Sequence, residues 1–196
     1  MITDLPKEFY SRESPDVAKE LLGKLLVRRI DGMDLVGMIV ETESYLPFID
    51  PAAHSFIGKT LRNAVLFGEA GFSYVYSIHR YFCLNVVCDS LNVPGCVLIR
   101  ALEPKQGIDF MRQYRLNNAN DITNGPGRLC QALQINRNQN GLDLTNSSSE
   151  LFIANGIEIK SEDIITTTRI GISKAKELPL RFYLKGNKHV SRKVVN

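Results

Sequence analysis

Two carboxylates spaced two residues apart in an apolar run are the first chemistry this sequence offers. Ile39-Val40-Glu41-Thr42-Glu43-Ser44-Tyr45-Leu46 reads as a buried strand running out into a polar loop that ends near His54. Alternation along a strand puts Ile39, Glu41 and Glu43 on one face, and Val40, Thr42 and Ser44 on the other. An apolar strand carries carboxylates on one side where that side meets water, a cation or a substrate. Glu43, next to the loop, is the candidate general base, a role worth about 10²–10⁴-fold in rate. The competing reading is a solvent-facing strand residue, the commoner fate of a lone glutamate.

Arg100 is the second oddity. A guanidinium inside Val97-Leu98-Ile99-Arg100-Ala101-Leu102 must meet an anion, either an internal carboxylate such as Glu43 or a phosphate. Tyr45, His54, Tyr74 and Tyr76 lie on two segments that can face each other. Opposed rings form a slot for a flat heterocycle, and stacking a base on one is worth roughly 1–3 kcal/mol. An aromatic core cluster is the alternative. Asn85, alone in Cys83-Leu84-Asn85-Val86-Val87, either bonds backbone or reads the edge of a base.

The elements that must position these groups follow from local signals. Pro15 and Gly23 bracket a helix that Ser14 is placed to cap. Lys24–Ile30 and Leu35–Glu43 read as strands joined at Asp31-Gly32. From Tyr45 to Lys59 the pattern breaks into a loop, followed by a short helix from Leu61 to Phe67. Phe72–His79 and Tyr81–Cys88 are strands with a tight joint at His79-Arg80, and Cys96–Leu102 is a third. Lys105–Arg115 and Pro126–Leu133 read as helices on either side of a polar loop, Asn118–Asn124. Asn140-Gly141 and Asn155-Gly156 are hairpin signals, the latter joining Leu151–Ala154 to Ile157–Lys160. Ile164–Arg169 and Leu180–Leu184 are late strands. The sum is one α+β domain over residues 1–196, with a mostly antiparallel, curved β-sheet core and short peripheral helices.

At 196 residues, with 44% hydrophobic and 23% charged residues, the chain suits one globular domain. No 18-residue apolar window and no basic-then-apolar leader is present, so a cytoplasmic protein is expected, with no membrane partner. Cys83, Cys88, Cys96 and Cys130 form no C-x-x-C pair, and reduced buried thiols are expected rather than a metal site. The net charge of +3 is modest, but Arg181, Lys185, Lys188, Arg192 and Lys193 make a basic end without an acid. That end fits a nucleic-acid footprint or a solvated tail equally well.

Several blocks in order carry a resemblance. They are Val40-Glu41-Thr42-Glu43-Ser44-Tyr45, Ala52-Ala53-His54-Ser55, Arg62-Asn63, Tyr74-Val75-Tyr76 and Phe82-Cys83-Leu84-Asn85-Val86-Val87. Val97 to Pro104, Gly125-Pro126-Gly127-Arg128 to Leu133, and Leu180-Arg181-Phe182-Tyr183 complete the set. Over nearly the whole chain the sequence resembles the alkyladenine (3-methyladenine) DNA glycosylase family. The resemblance implies base-excision repair: hydrolysis of the N-glycosidic bond of a flipped-out alkylated or deaminated purine in double-stranded DNA, leaving an abasic site. By that resemblance Glu43 activates water with Arg100 beside it. Tyr76 lies on one side of the base and Tyr45 with His54 on the other, and Asn85 lines the floor. Thr60, Arg62 and Arg128 lie near the DNA backbone.

The resemblance implies neither metal nor organic cofactor, and no obligate protein partner, so a monomer is expected. The family's aromatic-led wedge triplet is replaced here by the shorter Ile78-His79-Arg80-Tyr81. His79 or Tyr81 is then the expected wedge, with Arg80 on a phosphate. The alternative function is a non-catalytic module that binds damaged nucleic acid. A weaker one is a hydrolase of free nucleosides, whose activity would ignore salt.

Overall fold

Asp31-Gly32 turns the chain as its residue types require. Both take positive φ (49° and 77°), the mirror-image turn whose twist matches the flanking strands. It joins β1 (Leu25–Ile30) to β2 (Met33–Tyr45) in antiparallel register. The computed structural model describes residues 3–115 and 122–191. Most of the predicted loop Asn118–Asn124, and Arg192 and Lys193 of the basic end, lie outside the described residues.

The remaining strands are β3 (Ser73–Ile78), β4 (Tyr81–Cys88), β5 (Gly95–Gln106), β6 (Leu151–Ala154), β7 (Ile164–Thr167) and β8 (Arg181–Leu184). They form one eight-stranded sheet in the order β3-β4-β5-β2-β1-β6, with β8 pairing both β2 and β7. Every named pairing is antiparallel. The sheet curls into a half-barrel, and the fold is α+β as expected. β2 is the strand it curls around: one side pairs with β5, the other with β1 and then, at Glu41–Glu43, with β8.

The β2–β5 register breaks between Ile39 and Glu41 and again between Glu41 and Thr42. Such irregularities re-aim side chains. The expected alternation from Ile39 to Glu43 is therefore interrupted: Ile39 joins the apolar core, while Glu41 meets Arg100. Gly37 allows the close crossing just before, since a Cβ there would lie 2.8 Å from Leu102 Cδ1.

Among the described residues are four short α-helices, α1 (Lys7–Tyr10), α2 (Ser14–Glu20), α3 (Ile108–Gln113) and α4 (Pro126–Ala132); α2 and α4 lie on the sheet, with α1 against α2 and α3 against α4. Leu21, Leu22, Leu26, Val97, Ile99, Leu102 and Phe182 pack between α2 and the sheet as part of the main core. Burying each such side chain contributes about 1.5–3 kcal/mol.

Some local expectations change. Ser14 does not cap α2; its hydroxyl lies 2.9 Å from Ser44 Oγ and donates to Tyr45 O at 3.2 Å, tying the helix start to β2. The segment from Leu61 to Phe67 is a single 3₁₀ turn, Ala64–Phe67. The loop before it is ordered by buried Asn63, whose Nδ2 donates to His54 O and Gly58 O, both at 2.9 Å, and it contains a 3₁₀ turn of its own, His54–Ile57. Asn155-Gly156 makes no hairpin, and 157–160 is not a strand. A Cβ on Gly156 would lie 2.1 Å from Gly23 O, so this glycine serves a close crossing, and β6 pairs with β1 instead. Asn140 likewise caps an edge, its Oδ1 accepting from Val75 N at 2.9 Å.

Candidate active site

Glu43 is fully buried, and its two oxygens have named donors. Oε1 accepts from Ile170 N at 3.0 Å and lies 3.1 Å from Arg100 Nη1 in an ion pair; Oε2 accepts from Tyr45 Oη at 3.1 Å. Burial, the largest cause, raises the carboxyl above its ordinary range, and Arg100, the Ile170 N–H and Tyr45 pull it part of the way back. A raised carboxyl is closer to the pKa an effective base needs.

Arg100 meets both carboxylates of β2. Its Nε donates to Glu41 Oε1 at 2.9 Å. Arg181 Nε donates to the same oxygen at 2.8 Å, and Ser191 adds its N–H (2.7 Å, to Oε2) and Oγ (2.9 Å, to Oε1). Burial pushes Glu41 up too, but Arg100, Arg181 and Ser191 outweigh it and hold this carboxyl below its ordinary range. Two neighbouring carboxylates thus sit in opposite electrostatic environments. Arg181, counted above in the basic end, is buried in an ion pair and is no part of a surface footprint.

Tyr45, His54, Tyr76 and Asn85 line one cavity of about 200 Å³, together with Arg62, Tyr74, Cys96 and Gly171. β3 and β4 place three of these side chains, Tyr74 lying opposite Asn85. Asn85 lines the cavity, and its Nδ2 makes the expected backbone bond, donating to Tyr74 O at 3.1 Å. His54 Nδ1 lies 2.9 Å from Tyr74 Oη. Burial first, then Arg62, lowers the His54 pKa, so the ring is neutral at pH 7. Burial pushes Tyr74 up to about 12, so its hydroxyl stays protonated.

The rings are not held as parallel walls. His54 and Tyr76 meet edge to face, centroids 4.4 Å apart and planes at 65°. A base between two faces needs them about 7 Å apart, two van der Waals contacts of ~3.5 Å. Side-chain rotation has to open the slot, and the half-buried His54 leaves room for that.

Glu43 does not itself line this cavity. A second cavity of about 480 Å³ is lined by Arg100, Tyr81, Arg128, Arg115, Ile170 and Gly171, among others. Gly171 belongs to both. Glu43 is thus bonded to Tyr45 in the wall of the first cavity, and to Arg100 and Ile170 in the wall of the second.

The expected DNA contacts lie around these openings. Arg62 is exposed, 5.8 Å over the Tyr76 ring, and Thr60 is in the exposed turn that Asn63 ties. His79 and Arg80 form the exposed tip between β3 and β4, with His79 at φ 51°. Tyr81 is half exposed and packs on Gly127 at the start of α4, where a Cβ would lie 2.9 Å from Tyr81 Cβ. Arg128 Nη1 donates to Asn124 Oδ1 at 2.6 Å.

Residues that sequence reasoning did not place in the site are Glu41 as a ligand of Arg100, Arg181, Ser191, Ile170, and the buried pair Asp50–Arg169. The Arg169 guanidinium lies 4.7 Å over the Tyr45 ring and donates to Ser44 O at 3.1 Å. A second arginine inside an apolar run, at Arg181, was the available signal for a buried pair.

A half-barrel thus holds two guanidinium-braced carboxylates beside a ring-lined cavity, groups suited to activating water next to a flat heterocycle. Comparison with known proteins narrows this. The model of the family described as "Methylpurine-DNA glycosylase (MPG)" matches residues 8–188. Relatives from Carboxydothermus hydrogenoformans and Methanoculleus marisnigri are each 47% identical, and each match covers 96% of this chain and 99% of the relative. A relative from Clostridium perfringens is 43% identical over 204 residues, with the same coverage. Each is named "Putative 3-methyladenine DNA glycosylase". The chain belongs to the methylpurine-DNA glycosylase family; it is a DNA glycosylase of DNA repair, a hydrolase of N-glycosyl bonds.

Proposed function

We propose that this glycosylase excises cationic alkylated purines of the 3-methyladenine and 7-methylguanine class from double-stranded DNA as a cytoplasmic monomer. The observation that carries the reading is the buried Glu43 carboxylate, braced by Arg100 and bonded to Tyr45 in the wall of the ring-lined cavity.

The flipped base enters among Tyr45, His54 and Tyr76, which puts its glycosidic carbon beside Glu43. An alkylated purine is cationic and a good leaving group, so no acid is required. The C1′–N bond breaks and its electron pair neutralises the purine. Water adds to C1′, and its proton passes to Glu43. The carboxylate also stabilises the positive charge that develops on the sugar. Tyr45 and Ile170 occupy Glu43 in the free protein, and the attacking water takes the place of one of them; such bonds commonly rearrange in the productive complex. Neutral His54 favours a cationic base, which a charged imidazole would repel, and the electron-rich tyrosine faces attract it.

Incubation with methylated duplex DNA and assay of the released base tests the proposal. Free 3-methyladenine and an abasic site are the expected products. Tight retention of damaged DNA with no base released would favour the alternative, a binding module.

A further inference from the structure

We infer that Glu41 is a positioning residue, which holds the Arg100 guanidinium so that one nitrogen only reaches Glu43 and leaves that carboxylate able to accept a proton. The inference rests on the proposed function and assigns the second carboxylate of β2 a part in it.

Glu41 is saturated. Oε1 takes Arg100 Nε, Arg181 Nε and Ser191 Oγ, and Oε2 takes the Ser191 N–H. A carboxylate with four donors is no base, and its bonds fix geometry instead. Arg100 is thereby gripped at Nε, and Nη1 is the nitrogen paired with Glu43, at 3.1 Å. Nη2 turns away, toward Ser191 Oγ at 3.5 Å. A guanidinium with only one carboxylate to serve frequently closes on it with two parallel bonds. Glu43 held that way would be a structural ion pair, its lone pairs committed and its basicity reduced. Glu41 prevents the closure by drawing the fork sideways.

The groups facing Glu43 make the charge balance plain. Arg100 comes from β5, Arg181 sits opposite Glu43 on β8, and Tyr45 and Glu41 share its own strand, while β4 brings the Cys83 thiol, which burial pushes up and keeps uncharged. The segment after β7 brings the Ile170 N–H, with Arg169 close by but paired to Asp50. Ser191 closes the far side through Glu41. Two carboxylates therefore face two guanidinia, and the repulsion of Glu43 by Glu41 helps to raise the Glu43 carboxyl.

The test compares wild type with Glu41→Gln and with the charge-balanced double variant Glu41→Gln/Arg181→Gln. Single-turnover release of 3-methyladenine is followed against pH, beside affinity for the same duplex. The Glu43 carboxyl is titrated directly by isotope-edited infrared spectroscopy. Both variants are expected to lose about 10- to 100-fold in rate, part of the ~10²–10⁴ a positioned base supplies, with unchanged DNA affinity. The acid limb and the infrared midpoint move to lower pH, because Glu43 loses a repelling neighbour and a neutral amide competes less for Arg100 than a carboxylate does. If Glu41→Gln does not fold, the double variant decides. Unmoved midpoints overturn the inference, as does a rate loss matched by equal loss of DNA binding. If wild-type protein releases no base, the functional proposal fails, and the Glu43 midpoint still decides the inference.

Discussion

The backbone N–H of Ile170 and the Glu43 carboxylate are 3.0 Å apart, across 127 residues of chain. The donor sits on the oxygen that Arg100 also approaches. One edge of the candidate base is therefore fixed by main chain and guanidinium together, leaving Tyr45 on the other oxygen. Glu43→Gln keeps the shape and the acceptor oxygen but cannot take a proton. Excision should fall by about 10²–10⁴-fold or more, with methylated duplex still bound. Base release under single-turnover conditions and a parallel binding titration check this.

Asp50 and Arg169 are both completely buried and joined by two bonds, one of them 2.9 Å. Asp50 also accepts from Leu46 N and Ala52 N, so it ties the loop carrying His54 to the segment carrying Ile170. Removing one partner leaves a buried charge unpaired, a cost of about 3–5 kcal/mol. Asp50→Ala should lower the thermal midpoint sharply, whereas alanine at the exposed ion pair Lys7–Glu69 should change stability by less than about 1 kcal/mol. Thermal unfolding of the two variants is the comparison.

His54 gives a pH dependence with a definite sign. Burial, then Arg62, places its folded pKa below the ordinary 6.5. The unfolded chain then binds more protons than the folded one as pH drops through about 6.5, so stability decreases over that window toward acid. The charged ring would also repel a cationic base. His54→Gln should flatten this part of the profile; midpoints measured from pH 7.5 to 5 in both proteins would expose a slope of the wrong sign.

Gly127→Ala puts a methyl 2.9 Å from Tyr81 Cβ. The β3–β4 tip has to shift, an overpacking cost of about 1–3 kcal/mol, and Tyr81 moves with it. Base extrusion, followed by a fluorescent base analogue beside the lesion, should weaken more than overall folding does. Unchanged extrusion would remove Tyr81 from the proposed DNA interface.

Much of this was legible because its signals are local. Asp31-Gly32 announces its turn through backbone preference, and His79-Arg80 stands out as the polar joint between two strand-like runs. Arg100 stood out because an apolar strand leaves a guanidinium no cheap alternative to an anion. The partner of Glu41 was hidden because Arg181 lies 140 residues away, and no short-range pattern reports such a pairing. Asn155-Gly156 misled for a different reason: the same dipeptide suits a hairpin and a tight crossing of two backbones, and only the neighbour at Gly23 decides. The edge-to-face meeting of His54 and Tyr76 depends on where two loops dock, which residue type alone does not specify.

The hairpin formed by β3 and β4 carries Tyr74, Tyr76 and Asn85 along its length, and His79 and Arg80 at its end. Its two-residue turn leaves no slack between them. Under the proposed function, whatever presses into the duplex and whatever grips the extruded base are ends of a single lever. Probing for a weak base step would then reset the reading surface in the same stroke, so that search and inspection need no separate moving part.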